Sequence, residues 1–398
     1  MITVFGRRYH FQKRRWAVII GIIDAIGTFI FSYTGRNREP GKIRKILVSR
    51  IDHLGDVLLA TCALPLLKKA YPEAKIDFLA GEWSKDLLSN NPYVDEIIVY
   101  NCILQNRSGS LWQRVTSHAA SFLRTLKKIR EERYDLAIDL RSYFGNSVPL
   151  LYISGVRYIV GYGTGGFGFL LDKEAPYRTG VHEVFHIADL IKSIGIAAED
   201  EQIRPFYKVS VAAEEQARRI LESKGVNLNE SFIVIDPGTG NKKKEWKIQN
   251  WRTLTKRLKI HGMKIVFCGG SDVNRTIKAI LSNGDEDGIV DMSGSVPLEV
   301  FAGVVEKASL VIGLDSFPCH LAATLRTPTV VLWSGINDAA QWSPYGTNVR
   351  IVKRDVPCAP CYRSKGCEYM TCMDISPEDV LEMVRLQLGH ETDWPDNP

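Results

Sequence analysis

The sequence predicts two Rossmann-like α/β domains facing each other across a cleft, preceded by an amphipathic N-terminal helix. Three observations carry that expectation. Short apolar runs suited to buried strands alternate with segments of helical period, first from Lys45 and again from Ser231. Such alternation implies parallel sheets covered on both faces. The chain has 398 residues, room for two domains at roughly 100–200 residues each. The segment ahead of the first strand is apolar and basic, unlike everything after it.

Apolar residues make up 45% of the chain and charged residues 24%, which is ordinary for a globular protein. The net charge of +6 is a local feature. Residues 1–45 carry ten Lys/Arg against Asp24 and Glu39, a net +8, and the rest is −2. A nucleic-acid-binding face spread over the body is therefore excluded. A basic patch beside an apolar helix fits anionic lipid. Cys62, Cys102, Cys268 and Cys319 lie in apolar stretches and read as small buried hydrophobes. Nothing resembles a disulfide scaffold, so a reducing compartment is expected. The sequons at Asn106 and Asn229 then carry no meaning.

Residues 16–33 are mostly apolar. A helix of that length rises about 27 Å, marginal against a hydrocarbon core of about 30 Å. Ala17, Gly21, Asp24, Ala25, Thr28 and Ser32 fall in one sector of the helical wheel, and large apolar residues fill the rest. No small-residue cleavage site follows Tyr33, which argues against a signal peptide. A spanning helix and a helix packed on the protein itself are alternatives to the favoured reading, an in-plane anchor. Residues 36–41 (RNREPG) read as a linker. The expected domains are an anchor and linker over 1–41, an N-terminal domain over 42–210, a C-terminal domain over 211–375, and a helix and tail over 376–398.

In the first domain, 45–51 (KILVSRI) reads as a strand, 52–56 (DHLGD) as a loop and 57–70 as helix. Strands follow at 75–80 and 96–100, a long helix at 110–132 and a strand at 135–140. In the second, strands fall at 232–236, 264–268, 310–314 and 329–333, with helices at 249–261 and 298–307. Ligands of such sheets bind outside the carboxyl ends of the strands.

Four stretches at those ends carry chemistry. Asp56 follows a glycine where a helix begins, and is either a helix cap or a base favoured by the helix dipole. Asp52 and His53 stand beside it. Residues 236–246 (DPGTGNKKKEW) form a Gly-rich turn with three lysines, where backbone N–H groups approach phosphate and lysine adds point charge. The Walker A spacing is absent. Residues 313–324 (GLDSFPCHLAAT) place Asp315-Ser316 before a helix opened by Pro318, a ready anion site with His320 in its first turn. Finally, Cys358, Cys361, Cys367 and Cys372 allow a Cys₄ zinc site, although the later pair is not a second C-x-x-C and a structural loop is favoured. Two further matches read as decoys. The G-x-G-x-x-G at 161–166 (GYGTGG) opens no clear helix. The acidic triplet at 285–287 sits in a solvated turn.

Taken together, ILVSRIDHLGDVLLATCALPLLKKAYP, DPGTGNKKKEW with the later Trp251, GLDSFPCHLAATLRTPTVVLWSG and CAPC…CMDISPEDV resemble the ADP-heptose:lipopolysaccharide heptosyltransferase family, glycosyltransferase family 9. The resemblance runs from about Lys45 to Leu388 and implies a GT-B fold. The acceptor is then bound by the N-terminal half, the donor by the C-terminal half, and transfer inverts the anomeric carbon. It implies Asp56 as general base and Lys244 as the residue that stabilises the leaving diphosphate. Thr239, Gly240, Ser316 and His320 would line the phosphates, Asp315 would orient the sugar, and Asp272 and Val296 are candidates for the nucleoside. The chain departs from the family in two places. Phe317 replaces the usual glycine after the D-[ST] pair, and Lys247 replaces the proline after the K-x-W tryptophan.

The expected enzyme is thus an inverting transferase that takes a sugar, heptose by resemblance, from an ADP-sugar donor. Its acceptor would be a lipopolysaccharide-core or similar lipid-linked glycan. It would work in the cytoplasm, peripherally on the inner face of the cytoplasmic membrane, with no nucleic-acid partner and no required cofactor. A nucleotide-sugar epimerase of similar shape and a non-catalytic nucleotide-sugar-binding protein are the alternatives.

Overall fold

The computed structural model of the protein describes residues 1–11, 13–32, 38–106, 109–282, 288–294, 296–363, 367 and 369–389. The chain divides into two compact units, 1–206 and 207–398. Tyr33, residues 36–37 of the expected linker and the acidic triplet at 285–287 lie outside the described residues.

The first unit opens with a small hairpin, β1 (Ile2–Val4) and β2 (Arg7–Tyr9), and helix α1 (Arg14–Ser32). It continues through β3 (Lys45–Ser49), α2 (Leu54–Ala60), α3 (Ala63–Ala70), β4 (Lys75–Ala80), α4 (Lys85–Leu88), β5 (Glu96–Val99) and α5 (Leu111–Glu132). Then come β6 (Leu136–Asp139), α6 (Val148–Ile153), β7 (Tyr158–Gly161), β8 (Lys173–Glu174) and α7 (Glu183–Ser193). Its sheet is parallel, in the order β5-β4-β3-β6-β7-β8.

The second unit repeats the plan. It contains α8 (Val211–Ser223), β9 (Phe232–Asp236), α9 (Ile248–Ile260), β10 (Lys264–Phe267), α10 (Asn274–Leu281), β11 (Ile289–Asp291) and α11 (Leu298–Lys307). After these come β12 (Leu310–Leu314), α12 (Phe317–Thr324), β13 (Thr329–Trp333), α13 (Ala339–Trp342), β14 (Val349–Lys353) and α14 (Pro377–Leu388). Its sheet is parallel in the order β11-β10-β9-β12-β13-β14.

Both orders are the doubly wound 3-2-1-4-5-6 pattern, and strand order reverses at the first and fourth strands. The inner strands β3, β6, β9, β12 and β13 are almost entirely buried, as strands covered on both faces must be. Each unit has its own core. Leu47, Leu79, Ala137 and Ile159 lie in the first, and Ile235, Phe267, Ile312 and Leu332 in the second.

The N-terminal segment differs from the wheel drawn on its sequence. Ala17, Gly21 and Asp24 are buried as one face, but with Ile20 and Gly27. Ala25, Thr28 and Ser32 are exposed. The buried face lies on the first unit, so only part of the polar sector, Asp24 included, is turned away from solvent. The G-x-G-x-x-G stretch at 161–166 helps to form its seat. A Cβ on Gly166 would fall 2.4 Å from Ile20, and one on Gly27 would fall 2.6 Å from the Phe169 ring. These glycines are small because a helix lies on the loop.

Candidate active site

In the first unit, the loop after β3 and the loop after β6 meet at the switch point. Arg50 is fully buried there and draws three carboxylates together. Its guanidinium lies 2.7 Å from Asp52, 2.8 Å from Glu183 and 3.7 Å from Asp56. Arg141, from beyond β6, ion-pairs with the other oxygen of Asp52 and stands 4.0 Å over the Tyr143 ring. His186 lies 3.1 Å from Glu183, and its other nitrogen is 2.7 Å from the Arg178 carbonyl.

Asp56 is the third residue of α2, and the N-cap is His53, whose side chain makes no capping bond. Asp56 instead accepts the His53 backbone N–H, half of a capping box. The side chain remains about a fifth exposed, at 21%. Burial raises its carboxyl above the ordinary value, Arg50 and His53 pull it down, and Glu183 pushes it up. Burial acts on Glu183 too, but Arg50 and His186 outweigh it and hold that carboxyl down to about 2. The cluster therefore holds an interior carboxylate locked in its charged form and an accessible one that takes up a proton more readily.

In the second unit, Thr239, Gly240 and Lys244 follow β9, and Asp315, Ser316 and His320 follow β12, its neighbour at the switch point. Lys244 Nζ lies 2.6 Å from Asp315 Oδ2, and Asn337 donates to the same oxygen at 3.3 Å. Ser316 is the N-cap of α12 without a side-chain cap bond, and Pro318 stands in the first turn. The first backbone N–H groups of α12 therefore open beside the lysine. His320 is buried in that first turn.

Trp246, two residues after Lys244, is buried. That indole meets Trp251 edge-on at 4.8 Å and donates to the Ile375 carbonyl at 2.9 Å. Lys247, the residue in place of proline, pairs with Asp374 at 2.7 Å. Asp272 and Val296 follow β10 and β11, one and two strands beyond β9. Asp272 is exposed and Val296 half-buried. Asp236, at the end of β9, is pushed up to about 7 by burial, against the Gly238 N–H and with help from the Asp272 charge.

The four clustered cysteines are free thiols. Among the described residues no three His, Cys, Asp or Glu side chains gather as metal ligands. The Cys358–Cys361 stretch packs over the end of β13, with the Cys361 N–H donating to the Gly335 carbonyl at 2.9 Å. The sequence alone assigns no role to Arg50, Arg141, Tyr143, Glu183 or His186. One signal was available for Arg50: an arginine directly after an apolar strand must be paired if buried. The others carry no local signal.

Two doubly wound sheets, each with a switch point at its first and fourth strands, define a protein of two Rossmann-like α/β units. Within it, residues 122–371 match the model of glycosyltransferase family 9 (heptosyltransferase), so the chain belongs to that family and is a glycosyltransferase. The matched stretch starts inside α5 and does not include Asp56. The chain is 25% identical over 301 residues to lipopolysaccharide heptosyltransferase 3 of Escherichia coli, covering 74% of this chain and 84% of that one. It is 24% identical over 363 residues to lipopolysaccharide heptosyltransferase 2 of Escherichia coli K12, covering 87% and 99%. Among solved structures, a family 9 glycosyl transferase of Veillonella parvula aligns with TM-score 0.74 at 19% identity, covering 87% of this chain and 98% of that one. Escherichia coli ADP-heptose lps heptosyltransferase II aligns with TM-score 0.68 at 22% identity, covering 87% and 99%. These likenesses establish the GT-B fold.

Proposed function

We propose that the chain transfers heptose from ADP-heptose to a lipopolysaccharide-core or similar lipid-linked glycan, with inversion, at the cytoplasmic face of the inner membrane. The relatives' names supply the sugar and the acceptor class. The observation that carries the reading is the Lys244–Asp315 pair beside the opening of α12. A diphosphate fits a lysine and a row of backbone donors, and Asp315 offers a carboxylate to sugar hydroxyls. Thr239, Gly240, Ser316 and His320 line the same strand ends, with Asp272 and Val296 towards the nucleoside.

In the proposed step an acceptor hydroxyl oxygen attacks the anomeric carbon and Asp56 takes its proton. The bond from that carbon to the diphosphate oxygen breaks, and the electron pair leaves with ADP. Lys244 and the α12 N–H groups stabilise the added charge. Phe317, half-buried at the first position of α12, would narrow the space beside the sugar.

The test is ADP release by the full chain from ADP-heptose, with and without a heptose-deficient lipopolysaccharide core, the product's anomeric configuration being read by NMR. Release that requires the acceptor and gives inverted product supports the reading. Conversion of the donor without acceptor would replace it with an epimerase. Turnover of UDP- or GDP-sugars alone would keep the transferase and discard the heptose.

A further inference from the structure

Helix α1 is turned the opposite way from the surface helix of a soluble protein. Ala17, Gly21, Asp24 and Gly27 face the first unit together with Ile20. Ile19, Ile22, Ile23, Ile26, Phe29 and Ile30 point away from it and are 39% to 65% exposed. A continuous apolar face of this kind marks an interaction surface. Charge identifies its partner. Arg8, Lys13, Arg14 and Arg15 are exposed just ahead of and within the first turn of the helix. The one carboxylate in residues 1–32, Asp24, is buried. A second copy would present the same cations, whereas an anionic bilayer complements both features, headgroups for the bases and acyl chains for the isoleucines.

We propose that α1 lies in the plane of an anionic bilayer surface, apolar face inserted, as a fixed part of the first unit rather than as a spanning helix. Its other face is occupied from end to end. Trp16 stacks on Phe144 at 5.7 Å, and Phe31 meets Tyr152 edge-on at 5.9 Å. Between them Asp24 accepts from the Tyr9 hydroxyl and from the Phe167 N–H, both at 2.8 Å. A span would carry that carboxylate and its polar partners into hydrocarbon.

The placement has a consequence for the acceptor. Phe144, beneath Trp16, offers its carbonyl to Arg141, and the His10 ring stands 6.0 Å from that of Tyr143. Arg141 and Tyr143 belong to the Arg50–Asp52 cluster behind Asp56. The bilayer-facing helix and the start of α2 with Asp56 are thus parts of one packed body, suited to an acceptor that is itself embedded in the bilayer. That last point rests on the proposed transfer, but lipid binding does not.

The test is sedimentation of the full chain with phosphatidylcholine vesicles, with and without phosphatidylglycerol. Binding is expected to need phosphatidylglycerol and to weaken with salt. The double substitution I26E/F29E, at two exposed positions, should lower binding by at least about a hundredfold without changing thermal unfolding. In inside-out membrane vesicles, an N-terminal epitope should be digested by added protease. Vesicle binding indifferent to I26E/F29E would overturn the proposal. So would dimers dissolved by I26E/F29E with no vesicle binding, or an epitope that survives digestion as a spanning helix would make it. None of these readouts depends on sugar transfer, so either reading can fail alone.

Discussion

Asp56 and Asp236 are both raised carboxyls, for different ends. If Asp56 is the base, kcat/KM falls as pH drops through its raised value, because the proton-accepting form is lost. Asp56→Asn should lower kcat by about 10²–10⁴ while the melting temperature at neutral pH does not fall. The sign follows from linkage. A carboxyl whose folded value is raised stabilises the fold only at low pH, and that contribution is lost as pH rises through the folded value. Near-normal turnover of the variant would remove Asp56 from the mechanism. Asp236 is almost completely buried and pushed up to about 7. Stability should therefore decline between about pH 4 and pH 7, by a few kcal/mol at most. Asp236→Asn keeps an acceptor for Gly238 and should flatten that decline in urea titrations taken across the range. An unchanged slope would mean the carboxyl is ionised throughout.

At the scale of elements, α1 depends on one latch. Asp24→Ala would leave the Tyr9 hydroxyl and the Phe167 N–H without their acceptor, a loss of about 1–3 kcal/mol. Trypsin cleavage at Arg14 and Arg15 should then accelerate while cleavage elsewhere does not, which limited proteolysis with mass spectrometry reads directly. Equal cleavage in both proteins would show that apolar packing alone holds the helix. The latch also explains what the sequence concealed. Strands such as β9 (Phe232–Asp236) and β12 (Leu310–Leu314) are legible because burial on both faces demands continuous apolar runs. The edge strand β8 (Lys173–Glu174) is two exposed charged residues and has no such signature. The motifs proposed for the donor are legible because each is contiguous at a strand end. The Arg50–Glu183 pair is not, since 133 residues separate its members. The stretch at 161–166 is legible as glycine-rich, but the partner of Gly166 is a helix some 140 residues earlier in the chain, and 143 residues separate Asp24 from Phe167. Local pattern reports an element's own environment and is silent about a distant partner.

For the whole molecule, the division into two compact units makes a prediction about where a nucleotide acts. The lysine, the α12 N-terminus and the flanking loops all belong to residues 207–398. ADP should therefore stabilise that unit, by about 2.7 kcal/mol at a hundred times its dissociation constant. For a unit of this size that corresponds to roughly 5–10 °C in melting temperature. UDP, GDP and CDP serve as controls. The measurement belongs on the full chain, because residues 1–32 are packed on the first unit and their removal would expose Phe144 and the 161–166 loop. Hydrogen exchange adds position to the shift. Protection should concentrate in 237–245 and 315–320, where backbone amides would meet phosphate, while 45–206 exchanges as before. Stabilisation by ADP with protection confined to the first unit would move the donor to the Arg50 cluster and reverse the assignment of roles. No stabilisation by any nucleotide would leave the Lys244–Asp315 pair as a structural ion pair, and a buried pair of that kind is compatible with folding alone.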